Sequence, residues 1–476
     1  MKNKIYKIVC ICLIWGGNFA VGFTQQNDSL LQYLEIAAKN NPTVLQKYNE
    51  YQASLQKIPQ VGTLPNPDIS LGVFLSPMEL VSGNQVADIR LMQMFPWFGV
   101  LKNSKDEMSL MAKANYELFR DTKSQVYYDV ERTWYNLQKN NQQILILQKN
   151  LEILQTLERL SLIKLKTSGS TANVSSSNMS KNNTQNSTTN ASGMGTMNGG
   201  GTSNQTSNQI QPSFSGSMSS SGGSSNLIDI YKIQIEMSEL ENNIQLLKNQ
   251  QKTIVAEFNS YLNRDLDTPI SIPKSYKSES LSVPELAILD SISNNNPMIE
   301  MLKLEQQSLD AKKKMITGMS YPMIGVGLNY SIINKSSMST SSMNGKDMIM
   351  PMVSVSLPIY QKKYTAMKTE TDYLKTAKEE ALIATKNSLQ LDYYKAIQLY
   401  DDSQLRMKLY ENQSELTQKT LDIMVKSFST SGSNLSDVLR TRQQLLDYQF
   451  KSIEAITDYN TSIAWLQRLM TISNIQ

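Results

Sequence analysis

Histidine is absent from this sequence of 476 residues, and its two cysteines, Cys10 and Cys12, both precede Thr24. Without histidine, and without cysteine beyond that segment, the usual nucleophile and base pairs and the common zinc sites are excluded. No glycine-rich phosphate loop follows a predicted strand. Carboxylates are plentiful, but they fall at helix-surface positions, where solvated side chains are expected. The sequence therefore predicts a protein that is not an enzyme and needs no cofactor.

Long apolar runs are scarce after the first residues. Three lysines precede an apolar run from Ile8 to Trp15, and small and polar residues follow. This pattern is typical of a secretory signal peptide, predicted here over residues 1–24. We expect an exported mature chain without disulfides, and without a lipid anchor because Val9 and Ile11 precede the two cysteines. No later run of 18 apolar residues occurs, so any membrane crossing would have to use strands.

An excess of either charge is also missing. The chain has 46 basic and 42 acidic residues, which nearly balance. Nothing in this composition indicates nucleic acid as a partner.

The sequence contains an internal duplication, because the same features recur in the same order in its two halves. We predict a first repeat over residues 25–270 and a second over residues 271–476. The matching pairs are Asn41-Pro42 with Asn296-Pro297, Phe95-Pro96 with Leu357-Pro358, and Asn226-Leu-Ile-Asp229 with Asn434-Leu-Ser-Asp437.

The first repeat is longer because of a Ser/Asn/Gly-rich insert at residues 168–221. Its only charged residue is Lys181. Such a segment cannot bury enough apolar surface to offset its ordering entropy, so it is expected to be disordered. By alignment it falls at the tip of a helical hairpin.

Glycine and proline are missing from Val100 to Ser168 and from Ile359 to Ser431. Each stretch predicts one very long helix. In the first, apolar residues at seven-residue spacing predict a coiled-coil seam. Its members are Val130, Leu137, Ile144, Leu147, Leu151 and Leu154. Shorter helices are predicted over 28–58, 226–262, 284–315 and 434–469. If the two shorter helices of each repeat stack end to end, together they match the long helix in length. Each such helical pillar would be roughly 90–100 Å long.

Each repeat also carries two segments of alternating hydrophobicity, predicted as strands over 69–76, 86–95, 323–330 and 348–357. Asp88, Arg90 and Asn329 fall on the polar face of this alternation. An apolar face toward lipid and a polar face toward water are typical of a membrane β-barrel, with these three residues in its lumen. Four strands would leave open edges in lipid, so the chain must oligomerise. Two copies would be the minimum, and three copies of four strands would give 12 strands and 12 helical pillars.

Aromatic residues cluster where strands meet helices. They are Phe95, Trp97, Phe98, Tyr360 and Tyr364. One interpretation is an interfacial belt at the membrane surface. The alternative is that these rings pack a joint between two parts of the protein.

Together these features resemble the TolC family of outer-membrane efflux ducts over essentially the whole mature chain. Leu64-Pro-Asn-Pro67 before the first strand, followed by the hairpin and Phe95-Pro-Trp-Phe-Gly99, looks most like the CusC/CzcC heavy-metal branch. The resemblance implies a mostly α protein with a transmembrane β-barrel. It implies a homotrimer with a 12-stranded barrel in outer-membrane lipid of a Gram-negative bacterium and a 12-helix tunnel in the periplasm. A periplasmic adaptor and an inner-membrane pump, of the RND type, would be its partners.

The resemblance also implies a periplasmic gate. In the family, acidic residues at the turn before the returning helix of the second half ring a narrow mouth, and Asp437 matches this position. Arg440 stands where many members have a second acid, which puts a doubly acidic ring in doubt. Asp229 is the equivalent of Asp437 in the first half. The alternative for both acids is that they occupy a first helical turn and interact with the helix dipole.

Methionine is abundant, with 25 residues. Thioether sulfur suits Cu(I), so a metal-efflux duct could bind its cargo through such side chains. The alternative is that methionine serves as a flexible filler. The candidates beside the second strand loop are Met338, Met343, Met348, Met350 and Met352.

Three functions follow as hypotheses. The first is the exit duct of a tripartite efflux system for heavy-metal ions or drugs. A second is the outer-membrane component of type I protein secretion, which would use the same duct because pump and adaptor choose the substrate. A third is a periplasmic coiled-coil adaptor, which would show one helical hairpin rather than two halves with amphipathic strands.

Overall fold

The computed structural model describes residues 30–170, 222–273, 276–281, 283–430 and 433–471. Over these residues the chain forms eight helices and one four-stranded sheet, so the predicted mostly helical fold with strand hairpins is confirmed. The predicted signal peptide and residues 171–221 of the predicted insert lie outside the described residues. The elements are α1 (Leu30–Asn40), α2 (Pro42–Val61), β1 (Asp68–Leu80), β2 (Gly83–Phe95), α3 (Val100–Ser170), α4 (Gly222–Tyr261), α5 (Glu285–Asn295), α6 (Pro297–Met319), β3 (Met323–Asn334), β4 (Met348–Ser356), α7 (Gln361–Ser429) and α8 (Leu435–Met470).

The chain divides into two compact units, and each takes residues from both halves of the sequence. Unit 1 comprises the described parts of residues 1–143, 248–412 and 450–476, which include the sheet. Unit 2 comprises the described parts of residues 144–247 and 413–449, which are helical. No helix of the described chain is apolar over enough length to cross a membrane.

Two helices predicted as continuous are broken. The helix predicted over 28–58 is interrupted at Asn41, and the one predicted over 284–315 is interrupted at Asn296. The physical reason is the proline that follows each asparagine, since a residue before proline is forced out of the helical region. Each proline then begins the next helix, where its missing N–H is no loss.

Asn41 and Asn296 make equivalent contacts. The Asn41 side-chain oxygen accepts hydrogen bonds from the backbone N–H groups of Thr43 and Val44, at 2.9 and 3.3 Å, and so caps α2. Its amide nitrogen donates to the Tyr261 carbonyl oxygen at 2.9 Å, at the end of α4. The Asn296 amide nitrogen donates in the same way to the Leu469 carbonyl oxygen at 3.2 Å, near the end of α8.

Each of these corners closes on a hydrophobic cluster in unit 1. The first is aromatic, and Tyr33 of α1 contacts Trp134 and Phe258 with ring centroids 5.5 and 5.1 Å apart. The second is aliphatic and joins α5, α7 and α8, with Ile288, Ile292, Ala396, Leu466, Leu469 and Met470 as its buried members. Along α3, five of the six predicted seam residues are buried, and Leu151 is half-buried.

The sheet is antiparallel with the order β1-β2-β3-β4. Two hairpins, β1-β2 and β3-β4, are joined because β2 also pairs with β3. The strands of the first hairpin are longer than predicted, since β1 continues to Leu80 and β2 begins at Gly83. The sheet lies between α2 and α3 in one repeat and between α6 and α7 in the other.

Candidate functional site

The pairing register gives the sheet two chemically different faces. Residues directly opposite each other on neighbouring strands share a face. Arg90 lies opposite both Ser70 and Asn329, and Asp88 lies opposite both Gly72 and Ser331. The predicted lumen residues Asp88, Arg90 and Asn329 therefore stand together on one polar face.

The opposite face is apolar and uncovered in the single chain. Its members include Leu71, Ile89, Val326 and Val353, and Val353 is 75% exposed. Exposed apolar patches of this extent mark a surface that meets lipid or another protein.

Two buried polar side chains lie on the polar face. The Gln85 amide nitrogen donates to the Ser331 hydroxyl oxygen at 3.2 Å across β2 and β3. The side-chain oxygen of Asn329 is buried and has no hydrogen-bond partner within the described chain. Burial of a polar atom is costly unless a hydrogen-bond partner compensates it.

The predicted aromatic cluster separates into two groups. Trp97 stacks on Tyr321, with ring centroids 5.2 Å apart, and contacts the edge of Phe98 at 5.9 Å. Tyr321 precedes β3 and was not among the predicted residues. Trp97 therefore packs a joint, as the alternative interpretation expects. Phe95, Phe98 and Tyr360 are exposed, and Tyr364 is half-buried.

The predicted methionines also separate. Met348, Met350 and Met352 lie opposite Ser331, Asn329 and Gly327, so they stand on the polar face. Met338 and Met343 lie in the loop between β3 and β4, and both are exposed.

The predicted gate residues lie in unit 2, at the beginning of α8 and near the beginning of α4. Asp437 is in the first turn of α8, as the helix-dipole alternative expects. Arg440 Nη2 donates to Asp437 Oδ1 at 2.9 Å, one turn further along the same helix. Asp437 is thus paired with a base of its own helix on an exposed surface.

Asp229 differs from Asp437 in its position. α4 begins at Gly222 and has no acid in its first turn, so the expectation that Asp229 occupies a first turn is wrong. The helix starts four residues before the predicted Asn226, although Gly is unfavourable in a helix. Burial raises the pKa of Asp229, and the nearby charges of Lys232 and Lys164 act in the opposite direction.

A pair that sequence reasoning missed connects α4 with α8. Arg442 is 1% exposed, and its Nη2 atom donates to Glu236 Oε2. Gln443 Nε2 donates to the other Glu236 oxygen at 2.9 Å, and Lys232 Nζ donates to Ser436 Oγ at 3.3 Å. Burial lowers the pKa of Arg442, and the negative charge of Glu236 opposes that effect. A signal was present in the sequence, since Arg442 falls at seam spacing between the buried Val438 and Leu445.

No protein-family model matches the sequence, and no curated protein matches it. Solved structures do match. The CusC structure aligns with a TM-score of 0.66 at 12% identity and covers 93% of this chain and 91% of its own. The Campylobacter jejuni CmeC outer membrane channel aligns with a TM-score of 0.66 at 11% identity, over 94% and 86%. The outer-membrane channel OprN aligns with a TM-score of 0.64 at 12% identity, over 94% and 91%.

The chain has the fold of these outer-membrane channels. The resemblance predicted from the sequence is confirmed at the level of the fold, over nearly the whole chain. The TM-scores of the alignments with CusC, CmeC and OprN are nearly equal. The fold therefore does not distinguish the predicted heavy-metal branch from the other channels.

Proposed function

We propose that this protein is the outer-membrane exit duct of a tripartite efflux system and passively conducts solutes from the periplasm to the exterior. The main support for this proposal is the sheet, whose two faces differ in polarity. One face is apolar and exposed, while the other holds Asp88, Arg90 and Asn329. This arrangement suits a strand wall between lipid and water. The outer-membrane location in a Gram-negative bacterium is supported by the channels that share the fold.

The functional unit is a homotrimer. β1 and β4 are edge strands of the four-stranded sheet, and their backbone groups need partners in lipid. Three copies of four strands close a 12-stranded barrel that leaves no edge. The exposed apolar residues of α7, which include Leu405, Leu409, Leu416 and Ile423, then pack against neighbouring copies in a 12-helix tunnel.

The helix tips of unit 2 form the periplasmic gate. Asp437 rings the mouth of the tunnel, and Arg440 offsets its charge, so the ring is weakly rather than strongly acidic. Asp229 and Lys232 belong to the same tip region, since Lys232 bonds to the residue preceding Asp437. A periplasmic adaptor docks on these tips and connects the duct to an inner-membrane pump of the RND type.

The exposed rings at the strand ends, Phe95, Phe98 and Tyr360, form the interfacial belt with Tyr364. Trp97 stacks on Tyr321, so we assign it to the joint rather than to the belt. Belts of this kind anchor a barrel at the headgroup level.

Planar-bilayer recording of the purified full chain tests the proposal. We expect stepwise channel currents, migration in detergent gels that shifts on heating, and fractionation with outer-membrane lipid. A monomer that inserts into no bilayer would overturn the proposal and would favour the adaptor alternative. Type I secretion would use the same duct, so efflux and protein secretion are distinguished by which substrate is no longer exported when the gene is deleted. Loss of drug or metal resistance on deletion supports efflux, and loss of a secreted protein supports secretion.

A further inference from the structure

Two glycines open a gap on the polar face, at the end of the sheet where β2 leads into α3. A Cβ atom added at Gly325 would lie 2.6 Å from Met94 Sδ and 3.2 Å from Met92 Sδ. At Gly327 it would lie 3.0 Å from Met92 Sδ. Any side chain at these two positions would displace the sulfur atoms. The glycines therefore hold space in which two thioethers come together.

A hydroxyl group marks the same place. The Ser354 Oγ atom lies 3.6 Å from Met92 Sδ and 3.8 Å from Met94 Sδ. Both sulfur atoms are thus within 4 Å of one oxygen atom, although they come from residues two apart on β2.

The register places a third methionine, Met352, on the same face beside this gap. Gly327 lies between Met92 on β2 and Met352 on β4, and Gly325 lies between Met94 and Ser354. Met92, Met94 and Met352 therefore share one face around the two glycines. Asp68, opposite Met92 on β1, is the acid of the same row.

A methionine that fills a core is surrounded by apolar side chains, whereas these three are half-buried beside glycine, serine and the polar face. Three neutral thioethers form a soft donor set that favours Cu(I) over hard divalent ions, and Ag(I) shares that preference.

We propose that Met92, Met94 and Met352 bind a monovalent soft metal ion, Cu(I) or Ag(I), with one ion per chain. A role for this site in export rests on the proposed duct function, whereas binding of the ion by the three sulfur atoms does not. Within the duct, the site would hold the ion briefly where the strands meet the helices.

Cu(I) competition with a chromogenic chelator tests the proposal, on the purified chain in detergent under reducing conditions and without residues 1–24, which contain both cysteines. The variant is Met92→Leu/Met94→Leu/Met352→Leu, since Leu and Met have similar volume. The matched control is Met338→Leu/Met343→Leu, which removes two exposed loop thioethers. We expect the site variant to lose more than about tenfold in Cu(I) affinity, while the control keeps wild-type affinity.

X-ray absorption at the copper edge provides a second readout, with sulfur coordination expected in wild type and control. Equal Cu(I) affinity in wild type and the site variant would overturn the proposal, as would affinity lost only in the loop control. Gel migration and circular dichroism establish that the site variant folds. Bilayer currents distinguish failure of the site proposal from failure of the duct proposal. A chain that binds Cu(I) but makes no channels would support the metal site and overturn the duct function.

Discussion

Arg442 and Glu236 form an ion pair between α8 and α4, and the arginine side chain is almost entirely buried. Breaking a buried pair by removing one charge is costly because the other charge remains without compensation. The pair joins α4, which carries Asp229 near its beginning, to α8, which carries Asp437 in its first turn. It therefore holds the two tips of one chain together.

Glu236→Gln should destabilise unit 2 by about 3 kcal/mol or more and raise the open probability of the channel in bilayers. Glu241→Gln, at an exposed position on the same helix, is the control and should leave both unchanged. Glu236→Gln/Arg442→Leu should recover stability, because a buried pair can be replaced by apolar groups at little cost. Identical thermal unfolding of Glu236→Gln and Glu241→Gln would contradict the role of the pair.

Arg440→Gln should increase the preference of the channel for cations, because it leaves Asp437 without its neutralising partner. Reversal potentials in a KCl gradient measure this preference, and we expect a change of about twofold or more in the permeability ratio. Asp437→Asn should shift the ratio in the opposite direction. Lys419→Gln removes a similar one-turn pair with Glu415 on α7 and serves as the control. A ratio unaffected by both gate substitutions would place the selectivity elsewhere.

Local signals in the sequence predicted much of the fold. Alternating apolar residues located the four strands, and the absence of glycine and proline located α3 and α7. The breaks at Asn41 and Asn296 were also written locally, as Asn-Pro. The breaks were missed because the segments on both sides have helical composition. Only the steric restriction on the residue before proline indicates that the helix is interrupted there.

Contacts between distant segments were harder to predict. Glu236 and Arg442 meet only because α4 packs against α8, and no spacing within either helix fixes that register. Met92 and Met94 share the parity of Asp88 and Arg90 on β2, so their face was predictable. Their meeting above Gly325 depends on the pairing of β2 with β3, which joins the two halves and has no signal in either hairpin alone.

Val353→Arg should prevent assembly in the membrane. Val353 lies on the apolar face and is exposed in the single chain, and an arginine near the middle of a lipid-facing strand costs about 2–4 kcal/mol. Ser354→Arg, at the next residue and on the polar face, is the matched control and should still yield heat-modifiable oligomers. Outer-membrane fractionation and gel migration measure both variants. Normal assembly of Val353→Arg would show that this face does not meet lipid.

Glu131 should make stability depend on pH in the direction opposite to that of an ordinary carboxylate. Burial in α3 raises the pKa of Glu131 to about 7, and the charge of Glu279 adds to that effect. Glu279 is held nearby because its backbone N–H donates to Asn460 Oδ1 at 2.8 Å. Folded protein therefore keeps the proton at pH values where the unfolded chain has lost it, so this residue lowers stability as pH rises from about 4.5 to about 7.

Glu131→Gln removes that titration. Relative to wild type, the variant should gain stability as pH rises, by up to about 3 kcal/mol at pH 8. Below about pH 4.5 the difference in stability between the two proteins should be small and should not change with pH. Thermal unfolding of both proteins in detergent across this range measures the effect. The difference between the two proteins cancels the titration of every other carboxylate, which acts in both. A constant difference from pH 4 to pH 8 would mean that Glu131 is ionised in the folded protein and that its charge is compensated.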